Sequence, residues 1–319
     1  MQNNSLLRKH VAPLPKLQAI DAKGVLELRV LPDDSFGAHW QNIVLPQEQR
    51  DQVLGQALMN FSLRAKVDRS RLPLHGIILL VGPPGTGKTS IARGLASQTA
   101  KLISGLGQFV YVEVEPHALA SASLGKSQKA VQELLGQTIA ELAEQHPLIV
   151  LLDEVETLAA DRNQMSLEAN PVDVHRATDA VLAQLDHLAA KFPNLLFIAT
   201  SNFEGAIDPA FLSRADLIVR VDLPGLEARR AILTDTLAAL ADSFPQVKAH
   251  LNDAFMDKLA RASDGLDGRK LRKTILAACA SEKTSAVDPN QLTTQQLERA
   301  VLKAVQALPK PAKSHGHHR

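Results

Sequence analysis

The chain has 319 residues, 45% hydrophobic and 22% charged, the balance of a folded chain long enough for about two domains. Its net charge of +1, from 35 basic and 34 acidic residues, gives no global field to draw in a polyanion and disfavours a dedicated nucleic-acid binder, though not a local basic patch. Aromatics are only 3%, so Leu, Ile, Val and Ala must build the core, and the single Cys279 excludes an internal disulfide and suits a reducing, cytoplasmic compartment.

Residues 1–17 lack an apolar h-region and do not read as a signal peptide. The segment 1–33, with Pro13, Pro15 and Pro32, is too short for a core of its own. Ile77–Val81 reads as a buried strand, followed by a glycine loop and a helix from about Lys88. Phe109–Val114 is a second strand. Across 127–144, Val131, Leu134, Leu135, Ile139 and Leu142 recur at helical spacing. Leu148–Leu152 is a third strand, and Val174, Val181, Leu182, Leu185 and Leu188 mark another helix. Strands four and five fall at 195–200 and 217–221. No apolar run is long enough to span a bilayer.

Strands alternating with helices predict an α/β fold, a doubly wound parallel sheet covered on both faces, here over 34–223. After Pro224 the pattern becomes purely helical, at roughly 226–242, 252–263, 267–284 and 293–307, which predicts a smaller all-helical domain over 224–308. Residues 309–319, with His315, His317 and His318, read as a disordered tail, with metal binding and a non-native extension as alternatives. Cys279 reads as a small buried residue on a helix.

Gly82, Pro83, Pro84, Gly85, Thr86, Gly87, Lys88 and Thr89 fit G-x-x-x-x-G-K-[ST] in full. Glycines let the backbone wrap a phosphate and aim N–H groups at it, and the helix that follows adds its positive end. Lys88 supplies charge to β- and γ-phosphates, and Thr89 a hydroxyl for Mg²⁺, so ATP and Mg²⁺ are the expected cofactors. The context, an apolar strand before and a helix after, is the one the chemistry needs. Leu148–Leu152 then ends in Asp153 and Glu154. Asp153 can hold Mg²⁺ through water, and Glu154 can orient and deprotonate the attacking water.

Three further residues carry two readings each. Asn202, at the end of strand four, can hydrogen-bond the γ-phosphate or the lytic water, or simply serve its turn. Arg214 can reach a neighbouring subunit's nucleotide, or form a surface salt bridge. Arg269 can touch phosphate from the helical domain, or belong to a solvated basic face with Lys270, Arg272 and Lys273.

Longer strings carry a resemblance: SFGAHWQNIVLPQEQRDQVL, GPPGTGKTSIARGLA, LLDEVETLAADRN, NPVDVHRATDAVLAQLDHL, IATSNF, DPAFLSRADL and GLDGRKLRK. Together, over roughly residues 33–280, they resemble the AAA+ class and, within it, the pachytene-checkpoint ATPases that remodel HORMA-domain proteins. The stretch 171–188 and the Arg-Ala-Asp at 214–216 are the most branch-specific; the phosphate loop alone would indicate only the superfamily. The resemblance implies a P-loop ATPase domain with a helical lid, working as a ring, a homohexamer, with sites between subunits. It makes Asn202 the first sensor, Arg214 the trans-acting finger and Arg269 the second sensor. Ile43 and Val44 resemble the segment lining the adenine pocket, while the neighbouring Trp40 reads better as core packing. Ser123, Leu124, Gly125 and Lys126 fall at the family's central pore loop.

The sequence departs from that family in places. The pore loop has no aromatic residue, so Leu124 either grips the client or tucks onto its own domain. Phe211, Leu212 and Ser213 leave no second arginine shortly before the finger. Only about 33 residues precede the match, as in compact bacterial members. Those, by resemblance, disassemble a HORMA-domain partner that activates a nucleotidyltransferase in antiviral defence. Two other classes remain beside this one: a DNA-associated AAA+ ATPase such as a loader or transposition helper, and a nucleotide-gated scaffold with little turnover.

Overall fold

The structure, a computed structural model, describes residues 24–115, 126–159 and 171–309. In chain order it begins with β1 (Val25–Leu31), α1 (Asp34–Gln41), α2 (Gln47–Leu63), β2 (Ile77–Val81), α3 (Lys88–Leu102) and β3 (Phe109–Val114). Next come α4 (Lys126–Glu133), a π turn (Leu134–Ile139), α5 (Ala140–Gln145), β4 (Leu148–Leu152) and α6 (Pro171–Lys191). They are followed by β5 (Leu195–Ser201), α7 (Pro209–Leu212) and β6 (Leu217–Arg220). The strands form one sheet in the order β1-β3-β4-β5-β2-β6.

Alternation along the strands sorts the core into two layers. Ile77, Leu79 and Val81 join Val150, Leu152, Phe197 and Ala199 under α4 to α6, with Val131, Leu135, Val181 and Leu185 packed against them. Ile78 and Leu80 face the other way with Tyr111, Leu151 and Ile198, against Phe36, Trp40, Val53, Ile91 and Leu95 of α1, α2 and α3. Strands covered on both faces need apolar residues at every position, which is why β2 and β4 read as unbroken apolar runs.

β1 corrects the expected domain start at residue 34. Val25–Leu31 pairs antiparallel with β3, Leu28 opposite Val112 and Leu31 opposite Phe109, so the sheet's edge comes from the segment read as lying ahead of it. The other pairings are parallel. As an edge strand, VLELRVL is only half-buried and carries Glu27 and Arg29, so it lacks the apolar run that marks its neighbours. The helix read over 127–144 is present from Lys126 to Gln145, and the π turn leaves its apolar stripe facing the sheet.

The remaining helices are α8 (Leu226–Ser243), α9 (Asp253–Ala262), α10 (Gly268–Cys279), α11 (Lys283–Val287) and α12 (Thr294–Gln306). They enclose a separate core that includes Leu233, Leu237, Leu259, Leu271, Ile275, Leu297 and Val301. Side-chain caps start three of them: Asn252 accepts from the Phe255 amide, Asp267 from Lys270, and Thr293 forms a capping box with Gln296. Cys279 is buried at the end of α10, so the helix read over 267–284 stops there and α11 follows as a separate short helix. Among the described residues no helix is long and apolar enough to cross a membrane.

Candidate nucleotide site

The phosphate loop leaves the C-terminal end of β2, the strand between β5 and the edge strand β6. The Gly82 amide donates to the Ser201 carbonyl at 3.1 Å, continuing the pairing of β2 with β5. On the other side the Val221 carbonyl comes so close that a Cβ on Gly82 would lie 2.0 Å from it, so only glycine fits. At the loop's far end Gly87 is left-handed, φ 93°, and turns the chain into α3. Lys88 opens that helix and folds back beneath the loop. Its Nζ donates to the carbonyls of Gly82 (2.7 Å) and Pro83 (3.0 Å) and to Asn202 Oδ1 (3.0 Å). Burial holds the Lys88 ammonium below its ordinary pKa, Glu156, Asp153 and Glu154 oppose that shift, and Arg269 adds to it. The cation is therefore desolvated and held by neutral oxygens, a state in which phosphate oxygens can replace its acceptors.

The acid pair stands beside it. Thr89 Oγ1 donates to the Asp153 carboxylate at 3.0 and 3.2 Å. Leu152 pairs with Ala199, so the residues after them, Asp153 and Thr200, meet at the ends of β4 and β5. The Thr200 hydroxyl donates to Asp153 and accepts the Glu154 amide at 3.1 Å. Glu154 has φ 52°, the left-handed region that non-glycine residues seldom occupy and that concentrates at functional sites. Its carboxylate accepts from Asn202 Nδ2 at 3.2 Å. Because a lysine only donates and a carboxylate only accepts, the Asn202 amide has one workable orientation: oxygen to Lys88, nitrogen to Glu154. Asn202 thus links the two.

This donor set fits a nucleoside triphosphate with Mg²⁺. Among the described residues no group of three acids or histidines could hold a metal alone. Thr89 and Asp153 instead offer one hydroxyl and one carboxylate, the sparse protein ligation of a Mg²⁺ that keeps waters and phosphate oxygens.

The lid reaches this loop through the start of α10. The Arg269 amide donates to the Gly85 carbonyl at 3.2 Å, and Asp267 lies directly against Gly85. The backbone of Arg269 therefore lies against the phosphate loop, while its side chain is exposed. Ile43 is half-buried against the core and Val44 is exposed, on the connection between α1 and α2. Trp40 is core, with the Arg50 guanidinium 4.8 Å over its ring. Ser123, Leu124 and Gly125 lie outside the described residues; Lys126 opens α4, its side chain likewise outside them.

Arg214 is elsewhere. It donates to both oxygens of Asp186 on α6, at 2.8 and 2.7 Å, and to the Ala210 carbonyl. Asp186 raises the Arg214 pKa, and Arg214 lowers that of Asp186. Two residues on, Asp216 accepts the backbone amides of His75, Gly76 and Ile77, fixing the entry to β2.

Sequence reasoning passed over Thr200, Glu156 and Asp186. Thr200 was accessible from the strand register that sets it opposite Asp153. Glu156, third acid of the string DEVE, accepts the Asn202 amide at 3.1 Å. Nothing local to Asp186 marks it; its role depends on α6 passing Arg214.

A phosphate loop after β2, an acid pair at the end of β4 two strands away and a lid touching the loop make up a nucleotide-hydrolysing P-loop site. The profile described as "ATPase family associated with various cellular activities (AAA)" matches residues 78–223. CD-NTase-associated protein 6 of Pseudomonas aeruginosa is 52% identical over 292 residues, 92% of this chain and 96% of that protein. The chain therefore belongs to the AAA ATPase family that contains CD-NTase-associated protein 6. The pachytene checkpoint protein 2 homolog of Arabidopsis thaliana is 32% identical over 85% of this chain, which spans 65% of that protein's length. Among solved structures, C. elegans PCH-2 matches with a TM-score of 0.71 at 27% identity, over 89% of this chain and 76% of that one. A chain of the E. coli MS115-1 HORMA:CdnC:Trip13 complex matches in fold, with a TM-score of 0.70 at 18% identity, over 91% and 97%. The chain is a nucleotide-binding ATPase by family.

Proposed function

We propose that this chain forms a ring, a homohexamer, that uses ATP hydrolysis to unfold or disassemble a HORMA-domain partner in the cytoplasm, and so regulates a nucleotidyltransferase of bacterial antiviral signalling. The observation that carries the hydrolytic step is the Asn202 side chain spanning Lys88 and Glu154. It joins the group that would hold the γ-phosphate to the group that would activate water. In this reading the loop from Gly82 to Gly87 cradles the phosphates and Thr89 and Asp153 hold Mg²⁺, which supplies charge neutralisation. Arg269 closes from the lid, and Arg214 serves the neighbouring subunit. The client is supported by the relatives: one is named for association with a CD-NTase, and one fold match comes from a HORMA:CdnC:Trip13 complex.

The test uses Glu154→Gln. The amide is nearly isosteric and cannot take a proton, so ATP binding should persist while turnover falls about 10²–10⁴-fold. ATP-dependent release of a HORMA-domain protein from its nucleotidyltransferase should stop with it. Comparable turnover in mutant and wild type removes Glu154 from the role. Wild-type turnover without any release rejects the client and leaves the ATPase standing.

A further inference from the structure

Glu156 has no part in the reading above, yet it lies inside the site. It sits on the short 3-10 turn Val155–Thr157 that follows the left-handed Glu154. One carboxylate oxygen accepts the backbone amide of Asn202 at 3.1 Å. The other, Oε2, is buried and has no hydrogen-bond partner among the described residues. Of the three carboxylates acting on Lys88, that of Glu156 acts most strongly.

A carboxylate kept only for packing would be fully paired, because a buried, unsatisfied charged oxygen is costly. This one is offset by the Lys88 ammonium nearby and is spent on a single backbone amide. That amide belongs to the residue whose side chain links Lys88 to Glu154. Asn202 comes immediately after β5, where ladder pairing stops, so its backbone needs another restraint. Glu156 supplies it from the turn that also carries Glu154. The backbone of Asn202 and the carboxylate it serves are thus tied to one short turn of the chain.

We propose that Glu156 is a positioning residue for hydrolysis: by accepting the Asn202 amide it fixes the Asn202 side chain between Lys88 and Glu154. The proposal rests on the assignment of Asn202 and Glu154 to water attack. It requires an acceptor at 156, not a charge, because the contact is a backbone N–H to one oxygen. Its effect should fall on turnover rather than on nucleotide binding, since Glu156 makes none of the phosphate loop's hydrogen bonds.

The experiment measures kcat, KM for ATP, ADP affinity and Tm for Glu156→Gln, Glu156→Ala, Asn202→Ala and the double variant Glu156→Ala/Asn202→Ala, all in the full chain. The glutamine carbonyl can still accept the amide, so Glu156→Gln should keep kcat within about threefold of wild type and, by preserving the side chain's shape, guards against misfolding. Glu156→Ala should lower kcat about tenfold or more with ADP affinity unchanged. Because it acts through Asn202, it should add little in the Asn202→Ala background, and that non-additivity marks the coupling. A lowered Tm with unchanged kcat in Glu156→Ala, alongside a large loss in Asn202→Ala, overturns the proposal alone and leaves a structural role. Equal losses in the Gln and Ala variants also overturn it, assigning the effect to charge. If Asn202→Ala itself turns over normally, the reading of Asn202 falls, and the proposal with it.

Discussion

Two cations assigned to phosphate chemistry, Lys88 and Arg214, are held in opposite ways. Lys88 is buried under the loop and donates to two backbone carbonyls and one side-chain amide. Arg214 is forked onto the carboxylate of Asp186 and the Ala210 carbonyl. Neutral acceptors compensate a desolvated ammonium only in part, and burial accordingly lowers its pKa. A bidentate carboxylate compensates a guanidinium well and fixes its plane. The first arrangement suits a group that waits for phosphate within its own chain. The second suits a group presented at a fixed place on the surface, to be used by whatever docks there. In the proposed reading the phosphate-binding half lies within one chain and the last cation comes from another, whereas a plain surface salt bridge would leave Arg214 with Asp186 alone.

If that contrast is right, the two cations fail differently when removed, and Arg214 gives the larger kinetic effect. Arg214→Ala in the assembled protein should lower turnover by about 10³–10⁵, about 4–7 kcal/mol of barrier, while ATP binding stays close to wild type. Loss of the Asp186 pair should also lower the Tm of the nucleotide-free chain. Mixing Arg214→Ala with Glu154→Gln subunits should restore some activity, because some interfaces then combine an intact Arg214 with an intact Glu154. Phosphate release after proven subunit mixing is the measurement. No recovery would place the whole site in one chain.

Lys88→Ala should reverse the pattern. With ATP at about 100 times the wild-type dissociation constant, wild type gains about 2.7 kcal/mol, and the mutant should lose most of that gain. Its nucleotide-free stability sets two opposing effects against each other: an ammonium is no longer desolvated on folding, but Glu156, Asp153 and Glu154 lose the cation that offsets them. Thermal melts with and without ATP separate the two quantities. A mutant whose ATP-induced shift survives would contradict the phosphate-loop reading, whatever its basal Tm.

The same contrast marks what could be read from sequence. Gly82 to Thr89 are contiguous and Asp153 and Glu154 end an apolar run, so their chemistry is written locally. β2 and β4 were legible for the same reason: both faces are covered and every residue is apolar. β1 was not, since an edge strand tolerates Glu27 and Arg29 and its pairing with β3 spans a long stretch of chain. Thr200 became part of the site through register. Glu156 did so because a turn folds it back toward β5, and Asp186 because α6 passes beside Arg214. Each depends on contacts between segments distant in sequence, which periodicity does not encode. The end of α10 at Cys279 was missed because helical spacing runs on past it, while Ser281 and Glu282 interrupt the backbone.

The smallest effect expected is on the Asp186 pair itself, and pH isolates it. Asp186 faces Arg214 and His75, with the charge of Arg69 close enough to act on it. The bond from Arg214 is the main cause that holds its folded pKa below 3.8, against the opposing effect of burial. A carboxylate with a depressed folded pKa adds stability that is complete above the unfolded value and is lost as pH falls through the folded one. Asp186 is more than a third exposed at its side chain, so screening limits the pair to about 0.5–1 kcal/mol. Asp186→Asn keeps the shape and removes the charge. It should be less stable than wild type by that amount at neutral pH, and the gap should close once pH drops below 3.8 and through the lowered value. His75 complicates the range between. Burial lowers its pKa from 6.5, so it binds protons more weakly folded than unfolded and costs both variants stability as pH falls below 6.5. Removing Asp186 takes away one charge that favours protonated His75, which widens the gap slightly in that window before it closes at lower pH. Denaturant unfolding of both proteins from pH 7 down to about 3 gives the gap directly. A gap that stays constant across this range would mean that Asp186 acts by packing alone, and that Arg214 is placed by the Ala210 carbonyl rather than by its carboxylate.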